Sequence, residues 1–260
     1  MNTSRLLHRV ILLTLTSLLV SDTHLQSQSL NHHVQISKDL EIIPLSEHTY
    51  VSVSYAQVAG WGRVGSNGMI FLENHDALLF DSPPNDSLTE QLVRWMSDSL
   101  HVRIRAFVAT HWHDDRMGGL GYIHAIGIPS YAQEKTRSIS RSKKLPVPQT
   151  GFTDSLVLHL DRDSVVCRYF GAGHTPDNIV IWIPADRVLF GGCMVKELRS
   201  EGLGNIADAV LDEWPGTISK VIQAYPEAVK VVPGHGALGG RELLFHTFEL
   251  LSNSTRSGRQ

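Results

Sequence analysis

Apolar positions along the chain change period several times, and each change marks an element. In "DLEIIPLSEHTYVSVSYAQV" (Asp39 to Val58) two β-branched runs flank Ser46-Glu47-His48, which predicts two strands and a turn. "AGWGRVGSNG" (Ala59 to Gly68) is glycine-rich and reads as a mobile loop or a hairpin tip. "MIFLENHDALLFD" is a hairpin turning near Asn74 and His75. In "NDSLTEQLVRWMSDSL" the apolar residues Leu88, Leu92, Val93, Trp95, Met96 and Leu100 follow helical spacing, with Asn85 or Asp86 as the cap. "RIRAFVAT" is then a short buried strand.

The second half repeats this order. "NIVIWIPADRVLFGG" is a hairpin, "LDEWPGTISKVIQAY" a helix with Pro215 early, and "AVKVVPGHG" a buried strand ending in a histidine loop. Hairpin, helix, strand and polar loop thus occur twice. The duplication predicts an α/β fold in which two sheets pack face to face with helices outside, a four-layer αββα sandwich. "SNSTRSGRQ" at the C-terminus is polar and expected to be frayed.

The N-terminus departs from this pattern. Arg5 and Arg9 precede the apolar run Val10 to Val20, and a polar stretch follows. That is the order of a secretory signal peptide, and the run is too short to span a membrane. Residues 1–27 are therefore expected to be removed on export, at a position no A-x-A site marks, leaving 28–260 as one domain with no membrane association. A chain of 260 residues, 42% hydrophobic, has enough apolar material for a large buried core. Its net charge of −3 gives no sign of a nucleic-acid partner. Of the two cysteines, Cys167 lies in the strand-like "SVVCRYF" and reads as an inert core thiol.

Chemistry concentrates where predicted strands end. "THWHDDRMGG" places His111, His113 and Asp115 at alternate positions. On an extended bend such residues share one side, a comb of nitrogen and oxygen donors that suits zinc. His174 in "GAGHTPDN", Cys193 in "FGGCMVK" and His235 in "VPGHGALGG" each follow a predicted strand and sit among glycines. A single such residue is more often structural; together they are hard to explain without a metal. Arg116 either braces the loop or pairs with Asp114. His8, His24, His32, His33, His48, His75, His101, His124, His159 and His246 lack this context. One S-x-x-K match, Ser140 to Lys143, lies in a basic polar stretch and reads as a solvated face, since neither S-D-N nor K-T-G follows.

"HWHDDRMGGLGYI", "GAGHTPDNIVIW", "FGGCMVK", "GLGNIADAVLDEWP" and "VPGHG", in this order across residues from about 40 to 250, resemble the metallo-beta-lactamase superfamily, and within it the class B beta-lactamases of subclass 1. Many hydrolases of the superfamily read H-x-H-x-D-H; here Arg116 takes the place of the last histidine, and Cys193 stands where an acidic residue is usual. The resemblance implies two zinc ions per chain, His111, His113 and His174 holding one and Asp115, Cys193 and His235 the other. It makes Lys196 the partner of a substrate carboxylate and Asn205 a polariser of the lactam carbonyl. It makes Asp115 a catalytic residue that also orients the nucleophile, and puts Trp61 or Val64 on a flap over the site. The implied activity is hydrolysis of penicillins, cephalosporins and carbapenems by a zinc-activated hydroxide, hence antibiotic resistance, in a periplasmic monomer. Two other readings are a dinuclear zinc hydrolase for another ester, lactone or amide, and a non-catalytic zinc module. Lys196, Asn205 and the flap weigh against the first, and an open metal site against the second.

Overall fold

The computed structural model describes residues 32–257; the expected signal segment lies outside them. Two sheets form the centre of the molecule. The first has eight strands in sequential order: β1 (Val34–Ser37), β2 (Leu40–Pro44), β3 (Thr49–Val58), β4 (Gly62–Glu73), β5 (Asp76–Phe80), β6 (Arg103–Val108), β7 (Ser130–Gln133) and β8 (Thr150–Phe152). The second has five: β9 (Ser155–Leu160), β10 (Asp163–Tyr169), β11 (Ile179–Ile183), β12 (Val188–Gly192) and β13 (Lys230–Pro233), with β13 and β9 at its edges. Among the described residues six helices join them: α1 (Asp86–Leu100), α2 (Asp114–Met117), α3 (Leu120–Ala125), α4 (Glu134–Lys143), α5 (Trp214–Ala224) and α6 (Glu242–Ser257).

The layering follows from the period-two alternation of side chains along each strand. Ile70 and Leu79 face outward into a cluster with Leu88, Leu92 and Met96 of α1 and with Leu120 and Ile123 of α3. Their neighbours Met69, Phe71, Leu78 and Phe80 face inward and meet Val165, Ile179, Ile181 and Phe190 of the second sheet. On that sheet Val180, Trp182, Leu189 and Val231 turn the other way, toward Trp214, Ile218 and Val221 of α5 and Leu243, Leu244 and Leu251 of α6. Three apolar interfaces separate four layers, the αββα sandwich. Cys167 is fully buried in the middle interface, and burial pushes its thiol pKa up, as an inert core residue requires.

The internal repeat is real. In the first half the antiparallel pair β4–β5 is followed by α1 and then by β6, parallel to β5. In the second half the antiparallel pair β11–β12 is followed by α5 and then by β13, parallel to β12. Asn85 caps α1 by accepting from the Leu88 amide at 2.9 Å, and Pro215 occupies the first turn of α5, where its missing N–H costs nothing. The ends of β5, β6, β12 and β13 therefore lie at one rim, where parallel sheets place their ligands.

Three expectations need correction. The stretch Ala59–Gly68 is not a long loop: Gly62 to Gly68 are paired with β3 residues Val58 to Ser52, so only Ala59–Trp61 form the tip of a two-stranded flap. Close strand contact, not loop freedom, explains Gly65, where a Cβ would stand 2.9 Å from the Tyr55 ring. The C-terminal polar stretch is helical through Ser257, because α6 is anchored upstream by Leu243, Leu244 and Leu251. Ser140 is not on a solvated face; it is buried in α4 and donates to Thr136 O at 2.8 Å, which leaves it no role as a nucleophile.

Candidate metal centre

At the rim, the loop after β6 carries His111 and His113, and Asp115 follows in the first turn of α2, not on the extended bend the sequence predicts; the β10–β11 loop carries His174, the residue after β12 is Cys193, and the loop after β13 carries His235. Backbone bonds bind these loops together: Ile179 N donates to Thr110 O at 2.9 Å, Gly234 N to Gly192 O at 2.7 Å, and Asn67 N to Gly234 O at 2.9 Å. Residues separated by up to 124 positions thus converge. Three triads, His111–His113–Asp115, His111–His174–Cys193 and Asp115–Cys193–His235, each bring one donor atom per residue within 4.8 Å of the others. The shared members make one continuous donor set of six residues.

The hydrogen-bond partners fix which ring nitrogens are bare. His113 Nε2 lies 3.0 Å from the Asp208 carboxylate, so Nε2 carries the proton and Nδ1 is a lone pair. Thr110 Oγ1 donates to Asp81 Oδ2 at 2.8 Å and so accepts from His111 Nδ1 at 3.3 Å, which leaves His111 Nε2 bare. These two lone pairs face each other at 3.1 Å, with His174 Nε2 at 3.3 Å from the same His113 nitrogen. Two bare nitrogens at that separation repel, unless a cation lies between them. For tetrahedral zinc with bonds of 2.0–2.1 Å, ligand nitrogens stand about 3.3 Å apart, so the spacing fits. Burial and the neighbouring imidazoles hold the His111 pKa well below its ordinary value; burial and Lys196 do the same for His174. Both are neutral donors at pH 7.

The other half of the set is charged. His235 donates Nδ1–H to Gly65 O at 2.8 Å, which turns Nε2 toward Cys193 Sγ at 3.2 Å and Asp115 Oδ2 at 3.3 Å. Burial alone would lower the His235 pKa, but the sulfur of Cys193 and the carboxylate of Asp115 push it up to about 10. Burial would raise the Asp115 pKa, but Arg116, His235 and His111 hold it well below the usual carboxylate range. Thiolate, carboxylate and imidazole make a set with affinity for a divalent ion of borderline softness, and zinc is the ion they suit.

Arg116 lies beneath this half, fully buried. Its Nη2 reaches Asp115 Oδ2 at 2.8 Å, Gly234 O at 2.8 Å and Cys193 Sγ at 3.0 Å; its Nη1 reaches Asn67 O at 2.5 Å and Asp81 Oδ2 at 3.4 Å. It braces the loop and pairs with Asp115 and Asp81, not with Asp114. Asp81, itself fully buried in a left-handed conformation (φ 59°), accepts from Thr110 N at 2.6 Å and so aligns the residue before His111. Burial raises the Asp81 pKa to about 7 against the pull of Arg116 and Thr110.

A cleft of about 800 Å³ opens above the donors. Trp61 and Val64 of the flap form one wall, and Lys196 and Asn205 lie in its lining beside His113, Asp115, His174 and His235. Trp61 is 60% exposed and Lys196 only 9%, its ammonium 5.4 Å from the centre of the Trp214 ring. Burial lowers the Lys196 pKa, and Cys193 and Asp115 pull it back up in part; the Trp214 ring adds a cation–π contact to the ammonium. Asn205 is exposed, and its Oδ1 accepts from Ala207 N at 3.1 Å, which leaves its amide N–H groups for a ligand. Eight of the ten candidate residues line this cleft, and the other two, His111 and Cys193, are buried beside them in the donor set. Sequence reasoning missed Asp208, Asp81 and the aromatic wall of Trp112. Asp208 is only three residues beyond Asn205 in a quoted motif, but its partner His113 is 95 residues away, and no spacing rule links them.

A sandwich of two α/β halves, with N, O and S donors gathered on their common rim beneath an open cleft, defines a metal-dependent hydrolase. The chain belongs to the metallo-beta-lactamase superfamily, whose family model matches residues 102–235. A metallo-beta-lactamase type 2 of Bacteroides fragilis is 48% identical over 86% of this chain and 90% of its own length. The solved structure of a metallo-beta-lactamase from Pontibacter korlensis superposes with a TM-score of 0.80 at 36% identity, covering 82% of this chain and 99% of that one. The mono-zinc form of the metallo-beta-lactamase FIM-1 from Pseudomonas aeruginosa superposes with a TM-score of 0.78 at 31% identity, over 85% and 99% of the two chains.

Proposed function

We propose that this enzyme binds two zinc ions and hydrolyses the amide of bicyclic β-lactams, penicillins, cephalosporins and carbapenems among them, and so confers antibiotic resistance. The observation that carries the reading is the pairing, in one cleft, of the six-donor set with a buried cation, Lys196, and a free amide, Asn205. His111, His113 and His174 hold one ion; Asp115, Cys193 and His235 hold the other. The B. fragilis relative's name supports the substrate class, and the zinc form of FIM-1 supports the metal.

Bound zinc supplies an activated water at neutral pH and Lewis acidity toward the carbonyl. The residues do the rest. Lys196 takes the carboxylate beside the lactam nitrogen, a point-charge contact that the three bicyclic classes share. Asn205 donates an amide N–H to the lactam oxygen as negative charge develops there. Asp115 keeps its carboxylate ionised and orients the nucleophile. The flap lays Trp61 and Val64 over the bound ring and excludes water. No protein nucleophile is acylated, so carbapenems leave no stalled covalent adduct. Turnover of a chromogenic cephalosporin should stop in chelator and return with zinc; unimpaired turnover without metal would contradict the reading.

We also assign residues 1–27 to export and 28–260 to the mature domain, a periplasmic monomer. Its support is the basic, apolar, polar order of the N-terminus. Among the described residues no helix is long and apolar enough to cross a membrane. N-terminal sequencing of periplasmic protein tests the assignment.

A further inference from the structure

The loop from Lys196 to Asn205 bears both proposed substrate contacts, yet it belongs to no strand or helix. Its root is fastened from outside the cleft, by the last helix. Lys196 N donates to Thr247 Oγ1 at 2.8 Å, and the same hydroxyl donates to Leu243 O at 2.7 Å, so both its roles are filled. Thr247 is fully buried. One residue earlier on α6, His246 Nε2 donates to Ser200 O at 2.9 Å. Ser200 N closes a turn onto Glu197 O at 3.1 Å, so the His246 bond holds the far side of that turn. Leu203 then inserts into the apolar cluster that contains Leu243, Leu244 and Leu251 of the same helix. Beyond Leu203, Gly204 adopts φ 69° and Asn205 is exposed.

We infer that α6 is a positioning element for the substrate subsite: Thr247 and His246 set where Lys196 and Asn205 stand relative to the donor set. Neither residue lines the cleft. The inference deepens the proposed function and rests on its reading of Lys196 as the carboxylate partner. Its physical basis is reach. A lysine ammonium sits on a long flexible stem, and fixing the backbone N–H at its root, together with the Trp214 ring near its tip, confines it. An error of about 1 Å in such a group costs on the order of a hundredfold where orientation is critical, and less where the contact only binds.

The test compares a chromogenic cephalosporin with its carboxylate methyl ester, on zinc-loaded enzyme. Thr247→Val keeps the shape and removes the hydroxyl; Thr247→Ser keeps the hydroxyl. The expected result for Thr247→Val is a roughly tenfold rise in KM for the free acid, under twofold for the ester, with zinc content per chain unchanged. Thr247→Ser should restore the acid. His246→Ala, on a half-buried side chain, should show the same acid-selective rise at smaller amplitude, and serves if Thr247→Val fails to fold. Lys196→Ala is run beside them. If it loses acid and ester equally, the carboxylate reading fails and the inference falls with it. If Lys196→Ala is acid-selective but the α6 variants affect both substrates alike, or neither, α6 only stabilises the fold and the inference alone is overturned.

Discussion

Replacing Arg116 with Met isolates the buried charge beneath the donor set. The substitution removes five nitrogen-to-acceptor contacts between 2.5 and 3.4 Å, to Asn67 O, Asp81, Asp115, Cys193 and Gly234 O. Asp115 can turn to the cleft and to His235, and Cys193 keeps His235 as well. Asp81 is fully buried and retains only its bonds from Thr110, and with its pKa already raised to about 7 it takes up a proton once the guanidinium is gone. Two backbone carbonyls also lose charge-assisted donors. Removing one partner of a buried ion pair costs about 3–5 kcal/mol when the other charge stays behind; protonation of Asp81 relieves part of that, and the two carbonyls left without donors keep the expected loss near the lower end, about 3 kcal/mol. For a guanidinium m-value of about 5 kcal/mol/M, that shifts the unfolding midpoint down by roughly 0.6 M. The assay is guanidinium unfolding of chelator-treated protein, followed by the fluorescence of buried Trp214 and Trp182. Arg116→Lys should fall between the two, since an ammonium supplies the charge without the planar fork. A loss below about 1 kcal/mol for Arg116→Met would show that the guanidinium does not brace the rim.

Other expectations follow from the same geometry. Cys193→Ser should lower zinc content by mass spectrometry from two ions per chain toward one, because a hydroxyl is not a thiolate; unchanged content would remove Cys193 from the metal set. In the zinc-free chain His235 is held protonated up to about pH 10 against an ordinary value of 6.5, so zinc uptake must expel that proton. Zinc affinity should therefore weaken as pH falls, and calorimetry at pH 7 in buffers of different ionisation enthalpy should detect proton release; none would contradict the assignment. The same raised value makes its contribution to zinc-free stability full below about pH 6.5 and lost as pH climbs toward 10. Trp61→Ala should raise KM while leaving the melting temperature nearly unchanged, since the side chain is mostly solvent-exposed at a hairpin tip. A large fall in melting temperature would mark Trp61 as a packing residue.

Much of this molecule was legible because its chemistry recurs at one kind of place. Strand ends carry their signature locally, as a β-branched run that stops at glycine and a polar side chain, so His111, His174, Cys193 and His235 could be located without coordinates. The repeat of hairpin, helix and strand was legible for the same reason: each unit must bury its own apolar face. What failed was what depends on a partner far along the chain. Gly62 to Gly68 look like a loop by composition, yet the ten-residue register with β3 makes them strand. Arg116 was seen, but its partners Asp81, Asn67 and Gly234 come from three other segments, and its neighbour Asp114 was a reasonable local guess. His246 lacks the strand-end, glycine-flanked context of the donor histidines; its value lies in one bond to Ser200, 46 residues away. Ser140 looked solvated because its neighbours Arg141, Ser142 and Lys143 are polar, while the helix turns it alone inward.

The most direct test of the account is a joint titration of the mature, zinc-free protein with zinc, reading bound metal and carbapenem hydrolysis on the same samples. Saturation is expected at two zinc ions per chain, with no turnover before the first is bound and hydrolysis that chelator abolishes and zinc restores. Full turnover in a sample verified free of metal, or none in a sample loaded with both ions, would contradict it.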